Sequence, residues 1–180
     1  MNVMEAALSG VLILEPRLFD DARGFFLESY NRQLMAAAGI ADSFVQDHHL
    51  RCARNGLRGL HYQVRQPQEK LVRVIRGRAL NIAVDIRRSS PTFARWVSTE
   101  LSAQNRRIVW MAKGFAHGFV ALTEDAEVLS KSTDYWDPEH ERTITWDDPD
   151  LAIDWQLQGA PVLSAKDSVG ERLRDAEVFE

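Results

Sequence analysis

Two short stretches concentrate the side chains able to do chemistry. The first is Arg58-Gly59-Leu60-His61-Tyr62-Gln63, followed by Lys70-Leu71-Val72-Arg73 and Gly77. The second is Lys113-Gly114-Phe115-Ala116-His117-Gly118-Phe119. Histidine titrates near neutrality and is the commonest general acid or base. A solitary histidine is more often satisfied within a core, and a single Lys or Arg is ordinarily solvated. His61 stands apart because Arg58 and Lys70 are near it in sequence, which predicts fixed cations on adjacent strands. A base flanked by cations suits removal of a proton beside a carbonyl. The imidazole takes the proton, and the cations stabilise the developing enolate.

The elements that must hold these residues read mostly as strands. Val11 to Glu15, Phe25 to Tyr30, Ser43 to Leu50, Leu57 to Gln63, Leu71 to Ile75 and Ala79 to Ile86 have strand composition. So do Trp96 to Leu101, Ile108 to Met111, Gly118 to Leu122 and Ala126 to Lys131. Their spacing, about ten residues, is that of an all-β sandwich or barrel. Asn31 can cap an Ala-rich helix that stops at Gly39. A second helix is expected near Lys166 to Arg174, with Ser164 and Asp167 in capping-box spacing and Gly170 weakening its interior. Between 79 and 86, Leu80, Ile82, Val84 and Ile86 share one face, and Ala79, Asn81, Ala83 and Asp85 the other. A small, polar second face with little charge predicts the lining of an internal cavity, hence a pocketed β-barrel.

Composition bounds the function. The chain has 180 residues, 45% hydrophobic and 27% charged, without repeats, low-complexity tracts or linker-like shifts, so residues 1–180 are expected to form one domain. Lys+Arg 22 against Asp+Glu 26 gives a net charge of −4, which offers no basic surplus to a nucleic acid. The one cysteine, Cys52, can form neither an internal disulfide nor a zinc cage. No run approaches the roughly 20 apolar residues of a membrane span, and the N-terminus lacks signal-peptide order. The expectation is a cytoplasmic protein that contacts neither membrane nor nucleic acid.

A histidine on a strand entering a Gly-ended hairpin, with Gly114-x-x-His117 further on, is similar to the two-part pattern of cupin barrels. Metal-binding cupins usually carry His-x-His and a Glu in the first part. Here Gln63 takes the second histidine position, Gln68 stands where the acid is expected, and Glu69 is one residue away. Two imidazoles without a third nitrogen and a carboxylate make a poor transition-metal site. Neither a metal nor another cofactor is expected.

The resemblance narrows further over DARGFFLESYN (21–31), FVQDHH (44–49), LRGLHYQ (57–63), EKLVRVIRG (69–77) and AVDIRRSSPTF (83–93). It continues through LSAQNRR (101–107), KGFAHGF (113–119), STDYWDPEHERTITWDDP (132–149) and LSAKD (163–167). In this order, spanning about residue 11 to 170, these stretches resemble the dTDP-4-dehydrorhamnose 3,5-epimerase family. Those proteins are dimeric, metal-independent cupins of bacterial deoxysugar biosynthesis. The resemblance implies an all-β cupin jelly-roll with a few short peripheral helices, a nucleotide-sugar substrate, and a homodimer whose N-terminal strands pair with the partner.

Residue by residue, the resemblance makes His61 the base that removes the proton alpha to the C4 keto group. Asp167 orients and charges that imidazole, and Lys70 stabilises the enolate. Arg23, Glu28, Gln46, Asp47, Arg58, His117, Glu141 and Lys166 match nucleotide-sugar-contacting positions. Arg23 and Arg58 are expected on the diphosphate, where a planar fork of donors fits anionic oxygens. Phe26 and Tyr135 are candidates to stack on the base. Arg23 and Glu28 are expected to serve the neighbour's site.

Two positions depart from the family pattern, and both count among the substrate-contacting ones. Ser130 stands where the family has Tyr, the acid expected to return a proton to the opposite face of the sugar. His48 stands where Gln-Asp-Asn is usual. A Ser hydroxyl is shorter and far less acidic than a phenol. Water or another residue, such as Tyr62 or Tyr135, then supplies the proton, or only one carbon is inverted, or the sugar differs. The alternatives outside this reading are a metal-dependent cupin isomerase or oxygenase and a non-catalytic nucleotide-sugar-binding cupin.

Overall fold

The computed structural model describes residues 1–180. In chain order the strands are β1 (Asn2–Glu5), β2 (Val11–Glu15), β3 (Leu18–Asp21), β4 (Gly24–Leu27), β5 (Gln46–Cys52), β6 (Leu57–Gln63) and β7 (Lys70–Arg76). They continue as β8 (Arg78–Asp85), β9 (Trp96–Ser102), β10 (Ile108–Met111), β11 (Phe115–Ala121), β12 (Ala126–Ser132) and β13 (Glu141–Thr143). One α-helix, α1 (Arg32–Ala37), lies between β4 and β5. A six-stranded sheet in the order β1-β2-β10-β7-β12-β5 faces a five-stranded sheet in the order β13-β6-β11-β8-β9, and β3–β4 form a separate two-stranded ribbon. This is the cupin-like jelly roll expected from the sequence.

Three apolar clusters hold the layers, each from a strand face that must leave water. Between the sheets, Val72, Val74, Val109, Met111 and Val128 of the larger sheet meet Ala79, Ala83, Leu101, Phe115 and Phe119 of the smaller. The outer face of the smaller sheet presents Leu60, Tyr62, Ile82, Val84 and Ile86, which the largely irregular C-terminal segment covers with Leu151, Trp155, Leu173 and Ala176. On the outer face of the larger sheet, Met35 and Ile40 around α1 pack on Leu14, Leu71, Ile108 and Trp110. The alternation read in 79–86 is real, but both faces of β8 are buried, because a layer lies on each side.

The irregular C-terminal segment is held by side-chain bonds that replace a strand ladder. Asp148 accepts the N–H groups of Asp150, Leu151 and Leu173, Trp155 Nε1 donates to Trp146 O, and Trp96 Nε1 donates to Leu151 O. This strapping carries Asp167 back to β6.

The first expected helix is present, with Asn31 Oδ1 accepting the N–H groups of Gln33 and Leu34. The second is not. Only a 3-10 turn, Asp167–Val169, forms where Lys166 to Arg174 was expected to be helical. Ser164 and Asp167 do bond each other. Gly170, however, is extended at φ −62° and ψ 152°, and Glu171 is captured by the chain beyond β13 through Thr145 N–H to Glu171 O and Glu171 N–H to Thr143 O. A ladder partner was available, so the helix did not propagate. Strands β1, β3 and β13 were not expected. They are short, and pairing rather than local composition makes them.

Candidate active site

A cleft of 390 Å³ opens between the two sheets. One wall comes from the smaller sheet: Arg58 and His61 on β6, His117 and Phe119 on β11, Glu141 on β13. The other comes from the larger sheet: His48 and Leu50 on β5, Lys70 and Val72 on β7, Val128, Ser130 and Ser132 on β12. Ser164, Lys166 and Asp167 close one side, and Gln68 and Trp136 lie at the margin. Arg58 and Lys70 are thus on opposed sheets, not on adjacent strands as their spacing had suggested.

Register places the two histidines together. His117 pairs directly with His61 across β11 and β6, and residues facing each other in a ladder point to the same side. The backbones pack very closely here. A Cβ on Gly59 would fall 2.5 Å from Gly118 Cα, and Gly59 has φ +127°, so only glycine fits. That conformation lets the Gly59 N–H donate to Asp167 Oδ1 at 3.2 Å.

Asp167 Oδ1 also lies 2.6 Å from His61 Nε2, while Oδ2 accepts from Ser164 Oγ at 2.7 Å. Burial alone would raise this carboxyl's pKa. The bonds from His61 and Ser164 outweigh it and hold the group at about 2. An ionised carboxylate can only accept, so His61 Nε2 carries a proton, and in a neutral imidazole the lone pair is then on Nδ1.

Lys70 is the cation of the opposite wall. Burial pushes its pKa down to about 8, Glu141 opposing the shift and Lys166 adding to it. Glu141 is in turn held below the usual carboxylate range. Burial pushes it up, but Lys166 ion-pairs with it and Trp136 Nε1 donates to it at 2.9 Å. His117 is buried and lies near Lys70 and His61, which together drive its pKa well below the usual value. It is a neutral imidazole whose Nε2 meets Asn81 Oδ1 at 2.7 Å.

The structure brings His48, Arg58, His61, Lys70, His117, Ser130, Glu141, Lys166 and Asp167 to one cleft. The other expected residues stand outside it. Gln46 Oε1 accepts the Trp136 N–H at the rim, and Asp47 pairs outward with Lys131 at 2.8 Å. Tyr135 is exposed. Arg23 bonds Asp21 on the β3–β4 ribbon, whose Phe26 is exposed, and Glu28 accepts from Asn31 Nδ2. Neither tyrosine expected as a substitute acid lines the cleft. Tyr62 points to the other face of β6, where its hydroxyl donates to Glu177 O at 2.6 Å and burial raises its pKa.

Gln68, Trp136, Ser164 and Asn81 complete the site without having been assigned to it. Ser164 had been legible only as a helix cap, and Asn81 only as a polar residue on a small face. Glu69, the near miss for a metal ligand, accepts from Trp110 Nε1 at 3.0 Å, away from the cleft lining. Gln63 ties the loop after β6 to the loop after β12, donating to Gln66 O and Tyr135 O. No three of the His, Cys, Asp and Glu side chains cluster closely enough to hold a metal ion. No helix is long and apolar enough to cross a membrane.

The family profile described as dTDP-4-dehydrorhamnose 3,5-epimerase matches residues 5–175. A protein of that name from Pseudomonas aeruginosa is 56% identical over 180 residues, 99% of this chain and 99% of its own length. Its counterpart from Salmonella typhimurium is 48% identical over 182 residues, 100% of each chain. The crystal structure of dTDP-6-deoxy-D-glucose-3,5-epimerase from Legionella pneumophila, in complex with dTDP-4-keto-L-rhamnose, aligns with a TM-score of 0.96 at 45% identity. That match covers 98% of this chain and 94% of the other. With fold and sequence in agreement from end to end, the chain belongs to the dTDP-4-dehydrorhamnose 3,5-epimerase family.

Proposed function

We propose that the chain is an isomerase inverting C3 and C5 of a dTDP-4-keto-6-deoxyhexose, through an enolate formed by proton abstraction at His61. The observation that carries this reading is the bond between His61 Nε2 and an ionised Asp167, which leaves Nδ1 a free lone pair in a cleft with Lys70 on its opposite wall. The proton beside the C4 keto group passes to Nδ1, and the electron pair moves onto the C4 oxygen. Lys70, itself desolvated by burial, neutralises that charge as a fixed cation. Inversion follows when a proton returns to the other face of the same carbon. Arg58 is the cation suited to the diphosphate.

The proposed working form is a homodimer. Phe19, Phe25 and Phe26 of the β3–β4 ribbon are all exposed, more aromatic surface than a free ribbon keeps in water without a partner. Such a ribbon, laid on a second copy, delivers Arg23, Phe26 and Glu28 to that copy's cleft.

Incubation of the substrate in deuterated water tests the reaction. Deuterium at both C3 and C5 of the epimerised product is the expected result, and binding without solvent exchange would point instead to a non-catalytic nucleotide-sugar protein. Ser130 favours one second reading. The family resemblance puts a tyrosine there, and a chain limited to a single inversion without it would leave label at one carbon only.

A further inference from the structure

We infer that His48 is the proton donor that completes each inversion, from the wall opposite His61. This rests on the epimerase reading above. An epimerase that removes a proton from one face of a carbon needs a donor on the other face. His61 belongs to the smaller sheet, and Lys166 and Asp167 are held on that side by Glu141 and by His61 itself, so the donor is sought on the larger sheet. That wall consists of His48, Leu50, Lys70, Val72, Val128, Ser130 and Ser132, of which His48 and Lys70 alone have an ionisable side chain. Lys70 already faces the negative charge of the enolate.

The geometry selects His48 independently. His48 pairs directly with Ser130, and Ser130 with Val72, so the three side chains stand abreast on one face. The neighbours of His48 on β5 point the other way: Asp47 bonds Lys131 at 2.8 Å and His49 bonds Glu127 at 3.1 Å, both on β12. Alternation therefore turns His48 to the cleft face of β5, where, on an edge strand, it stays exposed. Its ring makes no hydrogen bond to the protein, and the small Ser130 beside it leaves the imidazole room to reach the sugar.

The step balances without a co-reactant. His61 takes the proton from carbon, and the C–H pair becomes the carbon–carbon double bond of the enolate. Protonated His48 gives its N–H proton to the same carbon from the opposite face. The enolate pair forms the new C–H bond, the C4 carbonyl returns, and His48 is left neutral. Exchange with solvent resets both imidazoles.

The test uses the full-length chain, its dTDP-4-keto-6-deoxyhexose substrate and deuterated water, with His48→Asn and His48→Gln as variants. Wild type is expected to exchange and invert. Both variants are expected to bind dTDP and to exchange the C–H bonds within a few-fold of wild type, with configuration retained. Inversion is expected to fall about 100-fold, the ordinary size of a lost general acid. The double variant His48→Asn/Ser130→Tyr, which returns a phenol to the same wall, is expected to recover inversion at least tenfold. Inversion by His48→Asn at the wild-type rate overturns the inference. So does joint loss of exchange and inversion with dTDP binding intact, since His48 would then act in positioning. Wild-type protein that exchanges nothing would instead overturn the epimerase reading itself, a separate result.

Discussion

His61 Nε2 and Asp167 Oδ1 are 2.6 Å apart, and the same carboxylate also accepts the Gly59 N–H and the Ser164 hydroxyl. With three donors converging on it, Asp167 stays ionised and fixes which imidazole nitrogen is protonated. The expected outcome of Asp167→Asn follows directly. An amide can offer its N–H to Nε2 and so leave the proton on Nδ1, where it blocks the base. Solvent exchange into the substrate should fall on the order of 10³–10⁴-fold while dTDP still binds. Exchange rates and calorimetric titration with dTDP check both halves.

Lys70 should set the alkaline limit of C–H exchange. With its pKa at about 8, it loses its charge as pH rises through that value, and the proposed enolate loses its counter-charge. The exchange rate should therefore decline above about pH 8. Glu141→Gln removes the charge that raises the Lys70 pKa, so the decline should begin at lower pH. Lys70→Met should slow exchange at least 100-fold at every pH. Rates measured by proton NMR across the pH range test all three.

Asp85 sits fully buried at the end of β8 and accepts from Arg87, Ser90 and Thr92. Burial pushes its pKa up, but those bonds prevail and hold it at about 2. Because the folded-state value lies below the unfolded one, its contribution to stability is complete above about pH 4. It is lost as pH falls through about 2, and Asp167 follows the same course. Asp85→Asn should cost about 2 kcal/mol near pH 7 and flatten the acid limb of stability. Denaturant unfolding at several pH values provides the comparison.

The ribbon should control assembly. Replacing Phe25 and Phe26 by Asp removes apolar surface that the subunit leaves 56% and 67% exposed, so the fold should survive and the proposed dimer should dissociate. Light scattering measures the mass. Arg23→Ala should leave that mass unchanged and raise KM for the nucleotide sugar, if the ribbon reaches the neighbouring cleft as proposed.

Much of the architecture was legible along the chain. Val11–Glu15, Leu57–Gln63 and Ile108–Met111 were read with their observed bounds, because apolar runs closed by turn residues have few other uses. Asn31 was legible as a cap for the same local reason. Helix 166–174 was misread since its capping signal was local, while the competing partner, the chain around Thr143 and Thr145, was not. Tyr62 was misread as a substitute acid because a residue type carries no direction until the register of β6 is known.

The amino-acid sequence alone determined the all-β class, the two histidine strands, the basic residues around them and the family resemblance, since these depend on residue type, order and short-range period. Only the tertiary structure decided that Arg58 and Lys70 stand on opposed walls, that the Asp167 carboxylate meets His61 at Nε2, and that His48 faces the cleft beside Ser130. Those relations depend on which strands pair and which sheets stack. Contacts made across the core are fixed by burying both faces of each sheet at once, a condition that no stretch of chain meets by itself.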